Sequence, residues 1–403
     1  MLKFFGNLKG DKVIWVVVII LSIFSILAVY SSTGTLAYKQ RSGNTEYYLI
    51  KHTLILFLGF SLMYLSHLVK YTLYSRISQL ALFIAIPLLF FTLVTGTNLN
   101  EASRWLTLPV ININFQTSDF AKLALIIYVA RMLSKKQDEI KDFKSAFLPI
   151  IFPVVLVCML IFPANLSTAA ILFLTAVILM FIGRINLKYI GYMALIGGFV
   201  VGIFILFLMN SPNKGRLGTW KSRIESFAGG PEHKDPDKEY QINQSKIAIA
   251  SGGLIGKFPG NSTQRNFLPH AYSDFIFAII IEEYGLFGGI FIILLYLILL
   301  YRGIRIATKC EKTFGSLLCI GMSFILVFQA FIHFAIITNL FPVTGQPLPL
   351  ISMGGTSIWF TSIAIGIMLS VSRETEKQNE FSDAEQPAEP IGENTQKTEY
   401  AAG

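Results

Sequence analysis

Of 403 residues, 53% are hydrophobic and only 14% are charged, against roughly 25% charged in an average soluble protein. That leaves too little charge to coat a soluble chain of this size, so a soluble enzyme is excluded and an all-α polytopic membrane protein is expected. The net charge of +9 is read as topology, because Lys and Arg gather in short cytoplasmic loops; it gives no reason to expect a nucleic-acid partner.

A helix needs about 20 mostly apolar residues to cross the hydrocarbon core. Ten segments qualify, at 13–31, 50–69, 77–96, 118–133, 146–162, 166–183, 188–209, 275–301, 316–339 and 350–371. The first follows Lys3, Lys9 and Lys12 without a small-residue cleavage site, and reads as a retained signal anchor. The fourth is short and opens on Asp119 and Lys122. With the N-terminus inside, the inner segments carry 18 Lys and Arg, while the short outer ones hold only Lys39, Arg41, Lys51 and Arg104. Both termini are therefore expected in the cytoplasm.

Between the third and fourth spans stands Ala102-Ser-Arg-Trp105, followed by Gln116-Thr-Ser-Asp-Phe-Ala-Lys122. Arg104 lies beside a Trp of the kind that anchors at membrane interfaces. Its planar fork matches phosphate oxygens, and Lys122 adds a point charge. With Arg216 and Arg223 they form a set able to hold a pyrophosphate at the outer surface, although each alone reads as a lipid-headgroup contact. Arg216 and Arg223 belong to a 65-residue outer connection, 210–274, between the seventh and eighth spans. A connection that long is functional or disordered, and its helix-compatible stretch at 240–251 favours function.

The richest chemistry follows in Leu268-Pro-His-Ala-Tyr-Ser-Asp274 and on to Glu282-Glu283-Tyr-Gly285. Asp274 stands where the long loop enters the eighth span. Position alone leaves it either a functional carboxylate or an ordinary helix cap. Glu282 and Glu283 lie two turns deeper, where ionisable groups are costly and demand partners; Lys122 is the natural candidate. Asn339 to Ser357, with Ser352 among its prolines and glycines, is an irregular outer re-entrant segment. Non-helical backbone at membrane depth must be buried in protein or line a cavity, and a cavity wall is expected. From 374 onward eight acids stand against Lys377 and Lys397, which predicts a disordered cytoplasmic tail at 374–403. Cys158, Cys310 and Cys319 have no metal spacing. Of the five histidines, only His270 is near the candidate site.

At these residues the sequence resembles the SEDS family (shape, elongation, division and sporulation proteins), which includes FtsW and RodA. The resemblance spans roughly 10–375. It rests on Ala102-Ser-Arg-Trp105, Gln244-Ser-Lys-Ile-Ala-Ile-Ala-Ser-Gly-Gly253, Phe267-Leu-Pro269, Ser273-Asp-Phe-Ile-Phe277, Glu282-Glu283-Tyr-Gly285 and Pro347-Leu-Pro-Leu-Ile-Ser-Met-Gly-Gly-Thr-Ser357. Gly260-Asn-Ser262 followed by Gln264 is closer to the division-type FtsW branch, and Phe341-Pro-Val-Thr-Gly345 to the elongation-type RodA branch; the division type is favoured.

The resemblance implies a peptidoglycan glycosyltransferase of 1–373 that polymerises lipid II onto an undecaprenyl-pyrophosphate-linked glycan at the division septum. A class B penicillin-binding protein and other divisome proteins are the implied partners. Asp274 is then the expected general base, and a divalent cation (Mg or Mn) could bridge it to pyrophosphate. Arg104, Lys122, Arg216, Arg223, Gln264, Glu282, Glu283 and Ser352 are the expected substrate-binding set. A lipid II flippase and a scaffold for the transpeptidase are the competing readings. The chain departs from the family pattern at Asn165, Asp119, His333 and Met353, where an Asp, a Glu, an Asn and a Tyr are usual.

Overall fold

The computed structural model describes residues 9–95, 97–99, 102–108, 113–210, 218, 221 and 236–385. The backbone of Arg104 is among these but its side chain is not, and Arg216 and Arg223 lie outside them. Helices α1 (Lys12–Ser32), α2 (Gly34–Arg41), α3 (Thr45–Leu68) and α4 (Tyr71–Thr95) lead into a small sheet. After it come α5 (Thr117–Lys135), α6 (Leu148–Ile161), α7 (Leu166–Ile182), α8 (Leu187–Met209), α9 (Pro236–Gly252), α10 (Ile276–Lys309), α11 (Thr313–Ile337) and α12 (Thr356–Glu385). Ten of these match the ten expected spans. Among the described residues eight helical segments are long and apolar enough to cross a membrane, and α7 is a shorter apolar helix; α5 carries the Asp119–Lys122 pair. The chain is a multi-pass helical membrane protein.

Polar residues start several of the helices. Asp11 accepts from the amides of Val13 (2.9 Å) and Ile14 (3.2 Å) at the head of α1. Asn44 does the same for α3 and Asn186 for α8. These caps satisfy amides that a helix cannot satisfy within itself. Asn165 caps α7 by accepting from the Thr168 amide at 3.2 Å, so the missing charge there leaves a hydrogen-bonding job intact.

α11 and α12 are mostly buried and form the centre of the bundle, whereas α8 is almost wholly exposed on the outside of the protein. α12 packs along α3, and α10 along α11. At one end Arg302 pairs with Asp11, and the Gly10 amide donates to Glu376 at 3.1 Å. α12 thus runs well past 374, where a disordered tail was expected to begin; residues 386–403 of that tail lie outside the described residues.

A three-stranded antiparallel sheet, with no signature in hydropathy, lies between α4 and α5. Its strands are β1 (Thr97–Leu99), β2 (Ala102–Leu108) and β3 (Ile113–Gln116), with Trp105 opposite Gln116. It is fastened to the bundle where the Gln116 amide donates to Thr356 Oγ1 at 3.2 Å and the Phe115 ring meets Phe360 edge-on at 5.5 Å.

A candidate active site at one end of the bundle

Up-and-down connectivity brings the sheet, the C-terminal ends of α1 and α11 and the N-terminal ends of α10 and α12 to the same end. Glu282, fully buried near the start of α10, organises it. Its Oε1 accepts from Lys257 Nζ (2.7 Å), Thr263 Oγ1 (2.8 Å) and the Thr263 amide (3.1 Å); its Oε2 accepts from Ser262 Oγ and the Gln264 amide (3.2 Å). Glu283 accepts from Ser31 Oγ, and Arg265 donates to the Ser31 carbonyl and hydroxyl oxygens at 3.1 Å. The expected pairing of the glutamates with Lys122 is therefore corrected. Lys122 is bonded to Asp119 Oδ1 at 2.7 Å and to Gln329 Oε1 at 3.2 Å. A lysine one turn into α5 finds its partner three residues back on its own face.

The same loop distorts α10. Gly285 has φ 68 and ψ −173, a combination open essentially to glycine, and the helix kinks there. Beyond the kink the amides of Leu286 and Phe287 donate to the carbonyls of Gly253 (2.9 Å) and Leu254 (3.3 Å). Gly256, at φ +91, comes so close that a Cβ would collide with the Glu283 carbonyl oxygen. The loop and α10 thus share one hydrogen-bonded seam.

Asp274 stands in the turn between loop and helix. It is not the N-cap of α10; Phe275 holds that position without a side-chain cap bond. The turn closes with the amides of Ser273 and Asp274 both donating to the His270 carbonyl at 3.0 Å. His270 occupies the left-handed region at φ 56 and lines a cavity of about 310 Å³ with Ser32, Lys39, Arg265 and Tyr272. Burial, and after it the Asp274 charge, push the Tyr272 phenol above its usual value.

The segment before α12 fixes this turn from the bundle side. Ser352, 1% exposed, accepts from the Leu348 amide at 2.8 Å and donates to the Ser273 carbonyl at 2.6 Å; the Met353 amide donates to the Tyr272 carbonyl at 3.0 Å. The segment was expected to wall a cavity. Most of it is instead packed in protein, and side chains satisfy its carbonyls. His333 Nδ1 meets the Gln346 carbonyl (2.8 Å) and Gln329 Nε2 the Pro347 carbonyl (2.9 Å). Tyr296 donates to Pro349, and Ser25 to Ile351 at 2.8 Å. Gln346 in turn donates to Thr168 Oγ1 at 2.6 Å.

The structure thus brings Asp274, Ser352, Gln264, Glu282 and Glu283 into one connected region and sets Lys122 behind it. Sequence reasoning missed Lys257, Ser262 and Thr263 as partners of Glu282, and missed Gln329. An amide in the middle of the apolar run 316–339 was the available signal for Gln329. Among the described residues no group of three His, Cys, Asp or Glu side chains converges as a metal site would require.

Comparison with known proteins agrees with this architecture. Residues 11–377 match the cell cycle protein family that groups FtsW, RodA and SpoVE. A probable peptidoglycan glycosyltransferase FtsW of Geobacter sulfurreducens is 34% identical over 369 residues, covering 90% of this chain and 95% of that protein. Stage V sporulation protein E of Bacillus subtilis is 31% identical over 370 residues, covering 90% and 97%. The solved rod shape determining protein RodA of Thermus thermophilus superposes with a TM-score of 0.64 at 21% identity, over 92% of this chain and 99% of that one. A chain from a peptidoglycan synthase complex that couples polymerization and crosslinking superposes at 0.68, also at 21% identity, over 91% and 98%. Matched along nearly its whole length, this chain belongs to the FtsW/RodA/SpoVE family of cell cycle proteins.

Proposed function

We propose that the chain polymerises lipid II into glycan strands at the outer face of the cytoplasmic membrane, with both termini in the cytoplasm. The observation that carries this reading is the Asp274 turn. It is pinned by the Glu282 loop on one side and by Ser352 and Met353 on the other, at the end of the bundle that also holds the sheet bearing Arg104. A carboxylate placed by so many bonds is preorganised for one proton transfer. The names of the relatives above support the chemistry. The name of the FtsW relative supports the division-type role at the septum.

In this mechanism Asp274 takes the proton from the 4-hydroxyl of an incoming lipid II. The oxygen attacks the anomeric carbon of the growing glycan, and the bond to undecaprenyl pyrophosphate breaks with inversion. The charge on the leaving pyrophosphate is met by Arg104, Arg216 and Arg223. Gln264, whose buried Oε1 has no hydrogen-bond partner, offers an acceptor to a sugar hydroxyl. Protein partners occupy Lys122, Glu282, Glu283 and Ser352, so these serve the site at one remove. Asp274 is the residue that would hold a Mg or Mn ion, which would supply positive charge against the departing pyrophosphate; the described side chains offer no cage, and no step here passes through a metal. The partner is a class B penicillin-binding protein, within the company of other divisome proteins.

The test is glycan polymerisation by purified protein with its class B partner, lipid II and a divalent cation. Wild type should give product and Asp274→Asn none, while the variant still folds and binds the partner. Equal product from both would sink Asp274 as the base. No product from either, with lipid II translocation intact, would replace the enzyme by a flippase.

A further inference from the structure

Lys122 and Asp119 stand near the start of α5, and a line of hydrogen bonds runs from them to the residue before Asp274. Lys122 Nζ, neutralised by Asp119 at 2.7 Å, donates to Gln329 Oε1 at 3.2 Å; Gln329 Nε2 donates to the Pro347 carbonyl at 2.9 Å. The next amide, of Leu348, goes to Ser352 Oγ at 2.8 Å, and Ser352 Oγ donates to the Ser273 carbonyl at 2.6 Å. Asp274 is the next residue. Asp119 is 2% exposed, Gln329 4% and Ser352 1%, so these three members of the line are shielded from water.

The chemistry of the groups allows Gln329 one orientation. A lysine only donates and a carbonyl only accepts, so the amide oxygen must face Lys122 and the nitrogen Pro347. Pro347 and Pro349 lack an N–H, so they offer only their carbonyls to hold the segment. The position of the segment therefore depends on side chains that reach it from the helices.

We infer that Gln329 is a positioning residue: it ties the Asp119–Lys122 pair to Pro347 and thereby sets the turn that carries Asp274. The inference rests on the proposed role of Asp274 and extends it to a residue on α11. A displacement of about 1 Å at a reacting group costs roughly a hundredfold in rate, and that is the loss expected when the tie is cut.

Gln329→Leu removes both bonds at similar volume. Gln329→Glu keeps an acceptor for Lys122 but has no donor for Pro347. Both should lower kcat for lipid II polymerisation about a hundredfold with KM changed less than about twofold, as for lost positioning and not lost binding. Hydrogen exchange at the Met353 amide should quicken at least about tenfold in both, while the Thr263 and Gln264 amides, on the opposite side of the turn, stay as in wild type. Wild-type kcat in either variant, or a rise in KM alone, would overturn the inference. So would unchanged Met353 exchange. The exchange measurement does not depend on catalysis: if Asp274→Asn kept full activity, the base assignment would fail while the tie from Gln329 to the turn was still decided.

Discussion

Glu282 gathers most of its donors from one loop, with Ser251 at the end of α9 adding another at 3.3 Å, and removing its charge should release that loop. In Glu282→Gln the amide keeps one oxygen but turns an NH₂ group toward hydroxyl and amide donors, and the Lys257 pair is lost. Breaking a buried pair by removing one partner costs about 3–5 kcal/mol. Lys257 is 32% exposed on its side chain and can turn to water, which lowers the cost, whereas Ser262 and Thr263 lose an acceptor, which raises it. About 4 kcal/mol follows, or roughly a thousandfold in the opening equilibrium. Lys257→Met removes one charge-assisted bond and leaves the carboxylate its hydroxyl and amide donors, so about 2 kcal/mol, or roughly thirtyfold, is expected. Hydrogen exchange at the Thr263 and Gln264 amides in detergent reads both openings directly. If Lys257→Met opened the loop as much as Glu282→Gln, or if Glu282→Gln quickened exchange less than about tenfold, the carboxylate would not be the organising group.

Three further outcomes test other parts of the structure. Gly256→Ala should sharply reduce folded protein by size-exclusion chromatography, because its Cβ meets backbone at Glu283; Gly253→Ala, with nothing within 4 Å, should cost only the left-handed strain of about 1–2 kcal/mol. Asp274→Asn should lower the Tyr272 titration, read by ¹⁹F resonance of 3-fluorotyrosine at 272, yet leave it above that of free 3-fluorotyrosine because burial is the larger cause. The neutral phenol's contribution to stability is present below pH about 10 and lost as pH rises through its folded value; no change on Asp274→Asn would mean that residue 274 carries no charge near Tyr272. Asp11→Asn keeps the α1 cap and loses the Arg302 pair, so Asp11→Ala should unfold below it by about 1 kcal/mol; equal thermal midpoints would refute the cap.

The spans were legible because apolar length is a local property, and ten runs of hydropathy became ten helices. Asp274, Ser352 and the glutamates were legible as residue types standing out against an apolar background. Their partners were not. Lys257 reaches Glu282 across 25 positions and Gln329 reaches Pro347 across 18, and no periodicity encodes such a contact. Lys122 was assigned by being the one cation in a span, a criterion blind to the carboxylate three residues before it. The re-entrant segment was recognised by its prolines, but whether it lines a cavity or is buried in protein depends on Ser25, Tyr296, Gln329 and His333, which come from three helices. The sheet escaped because its strands are short and lie between spans, where the hydropathy signal is silent.

The kink at Gly285 bears on how α10 enters the bilayer. The helix has 34 residues, roughly 51 Å at 1.5 Å each, well beyond the hydrocarbon thickness of about 30 Å. The two dozen residues past the kink, roughly 36 Å, suffice to cross alone. The first turns, with both glutamates, then belong to the headgroup layer, docked on the loop they organise. A carboxylate at mid-membrane is disfavoured by about 2.5–3.5 kcal/mol on insertion scales. A bend built on one glycine spares this helix that penalty twice, so its apolar portion can be threaded into lipid before the acidic portion finds its loop.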